Sequence, residues 1–411
     1  MKTKSVSNLA NILNLLSNPA RTGEESRHNI GSVATKKQNV LLISSFAQSS
    51  RVLKMASALL ENGFNVTILE WDRDSIFPPI EYKKNILIRR MKLKAPYGYR
   101  VIFKMIFWQF YIAIVILFGN FTIIQPQNLD NLLPVWFLRP FKKFKIVYDV
   151  ADFYADTFIL PNMTLLRRII AWIERLLAKT ADATILVDES RRQQINIPGC
   201  IIYNSPPDIF NTLKVNNNVN NNEEISSRSK FVIFYAGALS RDRGLDNLIK
   251  AVWGLADVEL IIAGFGELYD IFSHINQWKS NIHFLGRIPY DDALRLTATS
   301  DCIVALYDPM IPNNRYASPS KLFEAMMCAK PIIINRETTA ARIVEKFRCG
   351  MTVPYGDVEA LRNAIKLLKE NDDLCTLLGQ NGRKAYKMYF EWNLMEKRLV
   401  SIYNQITQEF K

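Results

Sequence analysis

Two short stretches of the sequence place charged side chains where a phosphorylated ligand can bind. Arg241 and Arg243 follow an apolar run that ends in Gly237 and is typical of a buried strand. Guanidinium groups on a turn between a strand and a helix offer planar, forked donors to phosphate oxygens. In the second stretch, Lys321 and Glu324 lie at the start of a predicted helix. Either stretch alone would usually be part of a solvated surface. Because both occur in the same half of the chain, a ligand site is the favoured interpretation.

The second stretch predicts a loop, a helix and a buried strand in immediate succession. Ser318 is the expected N-cap, and Pro319 suits the first helical turn. The first N–H groups of a helix have no internal partner, so the backbone at Ser320 and Lys321 can bind an anion. One turn further on, the Glu324 carboxylate lies within reach of vicinal hydroxyls on a ligand whose phosphates rest on the helix end.

This stretch resembles the signature helix of the retaining nucleotide-sugar glycosyltransferases of family 4, which have the GT-B fold. In that family two glutamates separated by seven residues flank the helix start, and the second binds the nucleotide ribose. Glu324 occupies the second position, whereas Tyr316 occupies the first. The Ser-Pro-x-Lys turn resembles a known sub-pattern in which this turn replaces the first glutamate. The resemblance runs from about residue 39 to the end and is strongest over 231–355.

The resemblance implies a donor site in the second half of the chain. The turn after the strand is similar to the family's diphosphate loop, in which Arg243 occupies the position of a lysine and Ala238 that of an arginine. Glycine turns line the family's nucleobase pocket. The expected donor-binding residues are Glu324, Arg241, Ser320, Leu322, Gly237, Gly264, Gly266, Gly286, Arg287, Ser318 and Tyr316, and the expected catalytic residues are Arg243, Lys321 and Asp152.

Residues 145–156 predict a strand followed by an acidic loop. In the family a histidine commonly follows this strand and points into the cleft, but the corresponding residue here is Ala151. Asp149 and Asp152 remain as candidates to orient an acceptor hydroxyl or to accept its proton. The sequence does not decide between the two aspartates, and capping of the following helix is an equally good interpretation.

Composition limits the classes of partner. The chain has 411 residues, 49% of them hydrophobic, which predicts two packed domains rather than global disorder. A net charge of +13 suits phosphorylated small molecules, anionic lipid or nucleic acid. No base-stacking or recognition motif accompanies the charge, so we expect no nucleic acid. Five widely spaced cysteines and three histidines indicate neither a disulfide framework nor a metal site, which favours a reducing compartment and no metal cofactor.

Alternating strand and helix patterns begin near residue 39 and again at residue 231, and they predict two Rossmann-like, doubly wound parallel sheets. The loop after the first strand lacks a glycine-rich phosphate cradle, so the nucleotide is expected on the second domain. The predicted segments are a mobile N-terminal extension that is not a secretory signal (1–37), an acceptor domain (38–207), an Asn-rich flexible linker (208–229), a donor domain (230–390) and a helix that crosses back to the first domain (391–411).

Residues 83–104 are dense in lysine and arginine and lead into an apolar, aromatic run over 106–118. The run is too short to span a bilayer. A buried helix of the first domain is the favoured interpretation, and a helix lying in the membrane interface is the alternative. The donor needs few cations, so the basic surplus of this domain predicts peripheral binding to anionic bilayers.

The sequence therefore predicts transfer of a sugar from a nucleoside-diphosphate sugar to a hydroxyl of a glycan or lipid-linked acceptor, with retention at the anomeric carbon. Arg243, Arg241, Lys321 and the helix N–H groups would stabilise the departing diphosphate without a metal. The expected setting is cell-surface polysaccharide or glycoconjugate synthesis at the cytoplasmic face of the cell membrane. A nucleotide-sugar epimerase of similar fold and a non-catalytic nucleotide-sugar-binding subunit remain as alternatives. Sugar, base, linkage, acceptor and oligomeric state stay open.

Overall fold

The computed structural model of the chain describes residues 37–96, 101–157, 164–212, 230–274 and 281–408. The predicted N-terminal extension, except Lys37, lies outside the described residues, as does the greater part of the predicted linker. The described residues form two α/β domains, one in each half of the chain, each built on its own sheet.

The first domain is built on an eight-stranded sheet. Its strands are β1 (Asn39–Ser44), β2 (Asn65–Asp72), β3 (Ile80–Lys83), β4 (Ile86–Lys92), β5 (Ile123–Pro126), β6 (Lys145–Val150), β7 (Ala183–Leu186) and β8 (Cys200–Ile201). They lie in the order β3-β4-β2-β1-β5-β6-β7-β8, and only the β3–β4 pair is antiparallel. The strand order reverses at β1, which is where a doubly wound sheet opens a crevice at its carboxyl edge.

Helices cover both faces of this sheet. They are α1 (Ser50–Glu61), α2 (Ile102–Phe118), α3 (Asn128–Leu138), α4 (Tyr154–Thr157), α5 (Thr164–Thr180) and α6 (Glu189–Ile195). Alternate side chains of β1 enter different cores, because successive residues of a strand point to opposite faces. Leu41 packs in a core with residues of α2, α3 and α5, whereas Leu42 packs in a core with residues of α1.

The second domain is built on a six-stranded sheet in which all strand pairs are parallel. Its strands are β9 (Phe231–Ala238), β10 (Val258–Phe265), β11 (Ile282–Gly286), β12 (Cys302–Ala305), β13 (Ile332–Asn335) and β14 (Gly350–Val353), in the order β11-β10-β9-β12-β13-β14. This order is that of the dinucleotide-binding Rossmann sheet. The predicted doubly wound fold is therefore confirmed for both domains.

The helices of this half of the chain surround the second sheet and return to the first. They are α7 (Leu245–Val252), α8 (Tyr269–Ser273), α9 (Tyr290–Thr299), α10 (Pro312–Arg315), α11 (Ser320–Met327), α12 (Thr339–Phe347), α13 (Val358–Lys369), α14 (Asp372–Ala385) and α15 (Trp392–Gln408). Helix α15 packs against α1, where Met395 and Leu399 share a core with Met55. Tyr403 also donates a hydrogen bond of 2.6 Å to Gln125 on β5.

One cation of the basic stretch over 83–104 is buried inside the first domain. Much of this stretch forms strand β4, and Arg90 on this strand is only 2% exposed. Its guanidinium pairs with Glu70 at 2.9 Å and with Glu81 at 2.8 Å on the neighbouring strands. Because Arg90 is paired with one carboxylate on each flanking strand, its charge is not available to a bilayer, whereas Lys83, Lys84, Lys92 and Lys94 are exposed.

The apolar run over 106–118 also differs from the favoured interpretation of a buried helix. Helix α2 buries only Trp108, Ile112, Val115 and Ile116. The opposite side is open to solvent, with Phe103 78%, Phe107 59% and Phe110 62% exposed. Periodicity cannot reveal this arrangement, because an apolar residue on every side of a helix gives no indication of which side meets protein. None of the helices in the described ranges is long and apolar enough to cross a bilayer.

Candidate functional site

The loops that follow the carboxyl ends of the two sheets meet each other. The backbone N–H of Phe153, after β6, donates to Asn313 Oδ1 of the second domain at 3.3 Å. Ser318 Oγ, ahead of α11, donates to the carbonyl of Val187, after β7, at 3.3 Å. The carboxyl ends of parallel strands are where ligands of doubly wound folds bind, so this seam is the candidate functional site.

Arg243 lies at the centre of the second-domain side. It is held on the 3-10 turn Arg241–Arg243, directly after β9. Its Nη1 donates to Asp242 and to Asn314 Oδ1, the latter at 3.2 Å. The guanidinium carbon is 4.6 Å from the centre of the Tyr307 ring. These contacts fix one edge of the guanidinium and leave other donors for a ligand.

Lys321 reaches the same place from the first turn of α11. Its Nζ lies 4.7 Å from the centre of the Tyr235 ring and 6.0 Å from that of Tyr307. A Cβ at Gly237 would lie 2.7 Å from this Nζ, and Gly237 has a φ of +153°. Glycine is therefore required here by backbone conformation and by the approach of Lys321. The structure thus brings together Arg243 and Lys321, as predicted, around one shared aromatic ring.

The start of α11 offers unpaired backbone donors. The N–H groups of Ser320 and Lys321 donate to no residue in the described part of the chain, which suits an anion at the helix end. Two predictions need correction. Ser318 is not the N-cap, because the helix begins at Ser320 and the Ser318 hydroxyl is bonded to the first domain. Leu322 has no group free to bind the sugar donor. Its side chain is fully buried, and its N–H donates a hydrogen bond of 3.1 Å to the carbonyl of Pro319.

Glu324 lies one turn into α11 and is 6% exposed. Its Oε1 accepts a hydrogen bond of 3.1 Å from the hydroxyl of Tyr290, at the start of α9. Burial, together with the neighbouring Glu324 carboxylate, raises the pKa of Tyr290 well above its usual value, so this phenol stays a donor. Oε2 has no hydrogen-bond partner among the residues that the structure describes and can accept from a ligand hydroxyl.

The two aspartates that the sequence left undecided have different surroundings. Asp149 is fully buried at the end of β6 and forms a bidentate pair with Arg51, at 3.0 Å to Nε and 2.8 Å to Nη2. Asp152, in the following loop, has a side chain that is 49% exposed. Its Oδ1 accepts from Asn313 Nδ2 at 2.8 Å. Of the two carboxylates, only that of Asp152 is accessible to an acceptor in the structure.

Two further predicted donor residues, Arg241 and Arg287, have other surroundings. The side chain of Arg241 is exposed, and its backbone N–H donates a hydrogen bond of 3.0 Å to Glu267 Oε1. The Arg287 guanidinium carbon lies 4.1 Å from the centre of the Phe265 ring, and Nη1 pairs with Asp74 of the first domain at 3.4 Å. Arg241 is thus an exposed arginine on a turn, whereas Arg287 forms an ion pair between the two domains.

For the remaining predicted donor-binding residues, the structure shows contacts or close approaches of the backbone. Gly264 pairs in register with Gly237, and a Cβ at Gly264 would lie 1.9 Å from the Gly237 oxygen. Gly266 follows β10 and Gly286 ends β11, and both have a positive φ, of +148° and +67°. The backbone carbonyl of Tyr316 accepts a hydrogen bond of 3.2 Å from Arg191.

Three further polar residues belong to the site: Asn313 and Asn314, which the sequence places where they could meet the sugar, and Arg191, which it does not indicate. Asn313 and Asn314, on α10, hold Asp152 and Arg243 respectively. Arg191, on α6, is 1% exposed and donates to Asn313 Oδ1 at 2.5 Å. The sequence indicates none of this for Arg191, because one of two adjacent arginines on a short helix is typical of a solvated face.

A buried carboxyl holds the loop that carries Asp152. Glu174 on α5 is fully buried and accepts from the Tyr148 hydroxyl at 2.8 Å and from the Tyr154 N–H at 2.9 Å. Burial raises the pKa of Glu174 to about 8, although the hydrogen bonds oppose the shift. The first turn of α4, just after Asp152, is therefore attached to the inner side of α5.

Comparisons with known proteins show which families the sequence and the fold resemble. Residues 218–385 match the family model described as Glycosyl transferases group 1. Over 248 residues the chain is 23% identical to an uncharacterized glycosyltransferase of Methanocaldococcus jannaschii, covering 57% of this chain and 61% of that protein. It is 26% identical over 181 residues to a phosphatidyl-myo-inositol mannosyltransferase of Mycobacterium leprae, covering 43% and 47% respectively. The chain thus spans less than two thirds of either relative.

Solved structures extend the likeness to both domains. Sucrose-phosphate synthase of Thermosynechococcus elongatus superposes with a TM-score of 0.72 at 16% identity, covering 91% of this chain and all of that one (100%). The Anabaena protein HepE, solved in complex with UDP-glucose, gives a TM-score of 0.65 at 14% identity, with 89% and 99% coverage. At such identities the likeness shows the fold, and it confirms the predicted GT-B architecture. The assignment to family 4 stays a prediction.

Proposed function

We propose that this chain is a retaining glycosyltransferase, because residues 218–385 match the glycosyl transferases group 1 model and the fold is GT-B. It moves a sugar from a nucleoside-diphosphate sugar to a hydroxyl group. The observation that carries the proposal is the convergence of Arg243 and Lys321 on Tyr307, beside the open N–H groups of α11. Such an array is complementary to a diphosphate that gains charge as it departs.

The donor lies on the second domain in this proposal. Glu324 Oε2 accepts from a ribose hydroxyl, while its other oxygen stays bonded to Tyr290. Arg243 and Lys321 stabilise the leaving diphosphate directly, so the reaction proceeds without a metal ion. The class of donor is supported by the UDP-glucose complex of HepE, which shares the fold. Arg241 and Leu322 are not part of the proposed site.

The acceptor lies against the first domain. Asp152 presents its Oδ2, which has no hydrogen-bond partner within the described ranges, from the loop after β6, and Asn313 fixes its Oδ1. A carboxylate in this position can orient the acceptor hydroxyl and accept its proton as the new bond forms. Burial lowers the pKa of the Arg243 guanidinium, but Tyr307, Asp242 and Tyr235, with a smaller contribution from Asp152, raise it above its usual value, so the Asp152 carboxylate acts electrostatically on Arg243.

A donor panel tests the proposed reaction. Thermal shift with nucleoside diphosphates and their sugars selects a donor, and release of the nucleoside diphosphate is then followed with and without glycan and lipid-linked acceptors. We expect acceptor-dependent release by the wild type. A donor epimer formed without any acceptor would instead support the epimerase, and binding without release under every condition would support the non-catalytic subunit.

A second part of the proposal is that an anionic bilayer is a partner of the first domain. Helices α2, α3 and α5 cover one face of the first sheet, with α3 between the other two. We call the exposed apolar side chains of this layer the outer face: Ile102, Phe103, Ile106, Phe107, Phe110, Ile114, Leu117, Phe118, Phe137, Phe141, Leu165, Leu166, Ile169, Trp172 and Leu176. A continuous exposed apolar face of this size marks an interaction surface.

The charges around the outer face select an anionic partner. The acidic residues of the three helices are Asp130 and Glu174, which are 6% and 0% exposed. Lys143, Arg168 and Lys179 are exposed around the apolar side chains. Aromatic insertion combined with cations at the headgroups is the composition of an interfacial membrane surface.

Liposome co-sedimentation tests the membrane contact. We expect Trp172→Ser, which removes a ring that is 63% exposed, to pellet less with anionic vesicles than the wild type does. Trp253→Ser is the matched control, because this tryptophan of the second domain is 61% exposed. Equal pelleting of wild type with neutral and anionic vesicles, or none with either, contradicts the proposal.

The proposed setting follows from these two parts. A surface for anionic lipid on the acceptor domain suits a lipid-linked acceptor, and the Mycobacterium leprae relative is named a phosphatidyl-myo-inositol mannosyltransferase. All five cysteines are unpaired, which suits a reducing compartment. We therefore place the protein on the cytoplasmic face of the cell membrane, in the synthesis of cell-surface polysaccharide or glycoconjugate.

A further inference from the structure

Arg191 is a buried cation of the first domain that reaches into the second. It lies on α6, just after β7, and its side chain is 1% exposed. Nη1 donates to Asn313 Oδ1 and Gln194 Oε1, both at 2.5 Å, and Nη2 donates to Tyr316 O at 3.2 Å. A buried guanidinium is costly unless it is well bonded, and most of the bonds that offset this cost cross to the second domain.

Asn313 transmits this contact back to the acceptor side. Its Oδ1 accepts from Arg191 and from the Phe153 N–H, which leaves its amide group directed at Asp152. The Asp152 Oδ1 accepts from that amide at 2.8 Å and lies 3.8 Å from Arg191 Nη2. One carboxylate oxygen is therefore held by an asparagine whose own orientation is set by Arg191.

The same part of the first domain holds the loop that leads into α11. Arg191 binds the Tyr316 carbonyl, and the Val187 carbonyl accepts from Ser318 Oγ at 3.3 Å. Ser190 Oγ also donates to Thr339 Oγ1 at 3.0 Å. Arg191 thus lies between the accessible carboxylate and the loop that positions the helix end for the diphosphate.

We infer that Arg191 is a positioning residue for the proposed transfer, acting through Asn313 on Asp152 and through Tyr316 on the loop before α11. The inference rests on the proposed function. Arg191 does not touch the donor or the acceptor in this account. It sets the distance between the carboxylate on the acceptor side and the diphosphate site, and small errors in such a distance are costly to turnover.

The test compares Arg191→Gln with Arg192→Gln. The neighbouring arginine is the matched control, because it lies on the same helix, is 46% exposed and pairs with Glu189. We expect Arg191→Gln to lower kcat/KM for transfer by about 10–100-fold. Binding of the free nucleoside diphosphate should weaken much less than this, because the proposed donor contacts lie on the second domain and Arg191 bonds only the loop that precedes them. Arg191→Lys should restore part of the rate.

A double-mutant cycle separates positioning from a merely structural role. If Arg191 acts through Asp152, Arg191→Gln should cost little more in a chain that already carries Asp152→Asn. Additive losses overturn the inference, as does a kcat/KM for Arg191→Gln equal to that of Arg192→Gln. Should Arg191→Gln fail to fold, Asn313→Ala, which removes a smaller side chain, is put through the same cycle and judged by the same outcomes. A wild type that transfers to no acceptor overturns the proposed function and this inference together.

Discussion

At the scale of single residues, the candidate site depends on which polar atoms remain unbonded. Glu324 has one oxygen bonded to Tyr290 and one open, Asp152 has one oxygen bonded to Asn313 and one open, and Arg243 is fixed along one edge. Each group is oriented by a neighbour and keeps a free atom for a ligand. This arrangement is what preorganised binding and electrostatic catalysis require.

The first prediction at this scale concerns the ribose contact. Glu324→Ala should weaken binding of the nucleoside diphosphate by roughly 1.5–3 kcal/mol, because a hydrogen bond to a charged group is lost. Tyr290→Phe is the control, since it removes the phenol that orients Glu324 and leaves the carboxylate. It should cost less. Calorimetric titration measures both, and an unchanged dissociation constant for Glu324→Ala would remove Glu324 from the site.

The second prediction concerns the diphosphate. Arg243→Ala should lower the single-turnover rate more than it weakens binding of the free nucleoside, because its contact strengthens as charge develops on the leaving group. Arg241→Ala is the matched control, since Arg241 lies two residues away with an exposed side chain. It should leave the rate nearly unchanged. If Arg243→Ala changes only the Michaelis constant, the residue binds ground state and transition state equally.

Much of the site could be predicted at this scale, but only where a local pattern carried it. Glu324, Lys321 and Arg243 stand at fixed offsets from a strand or a helix start, so their convergence follows from the fold. The choice between Asp149 and Asp152 could not be made, because it depends on Arg51, which is distant in sequence. Long-range partners of this kind leave no local pattern.

At the scale of elements, helix α5 takes part in both the outer face and the support of the loop that carries Asp152. Its outer side carries Ile169 and Trp172, exposed by 45% and 63%, while its inner side carries the fully buried Glu174. The spacing of apolar residues over Leu165–Thr180 predicts an amphipathic helix, and the structure has a helix over Thr164–Thr180. The sequence does not predict the exposed apolar side chains on the outer side or the buried carboxyl of Glu174 on the inner side. Periodicity alone does not distinguish a glutamate that faces solvent from one that faces a buried tyrosine.

The third prediction concerns the ionisation of Glu174. Burial raises the pKa of this carboxyl from 4.5 to about 8, so the folded chain binds more protons than the unfolded chain between these values. The contribution of the group to stability is full below pH 4.5 and is lost as the pH rises through 8. Glu174→Gln should therefore gain stability relative to wild type across this window, by at most about 1.4 kcal/mol per pH unit.

Denaturant unfolding at several pH values measures this difference. Glu359→Gln is the control, because the side chain of Glu359 is 75% exposed on α13, and it should show no such trend. A Glu174→Gln variant whose free energy of unfolding differs from wild type by the same amount at pH 5 and pH 8 would contradict the raised pKa.

At the scale of the whole molecule, two doubly wound sheets close on each other through the loops at their carboxyl ends. The parallel sheets could be predicted, because buried strands alternate with helices along the chain. The contacts that close the seam could not, because Arg191, Arg287 and Ser318 each bond to the other domain across large separations in sequence. The outer face of α2 and α5 is likewise a property of the assembled layer.

The central claim is that the chain transfers a sugar with retention, and the configuration of the product tests it most directly. Wild-type protein is incubated with the donor selected by the panel and its acceptor, and the anomeric configuration of the new linkage is read by NMR. The account predicts the same anomeric configuration in the product as in the donor, formed only when acceptor is present. A product of inverted configuration would contradict the proposed chemistry.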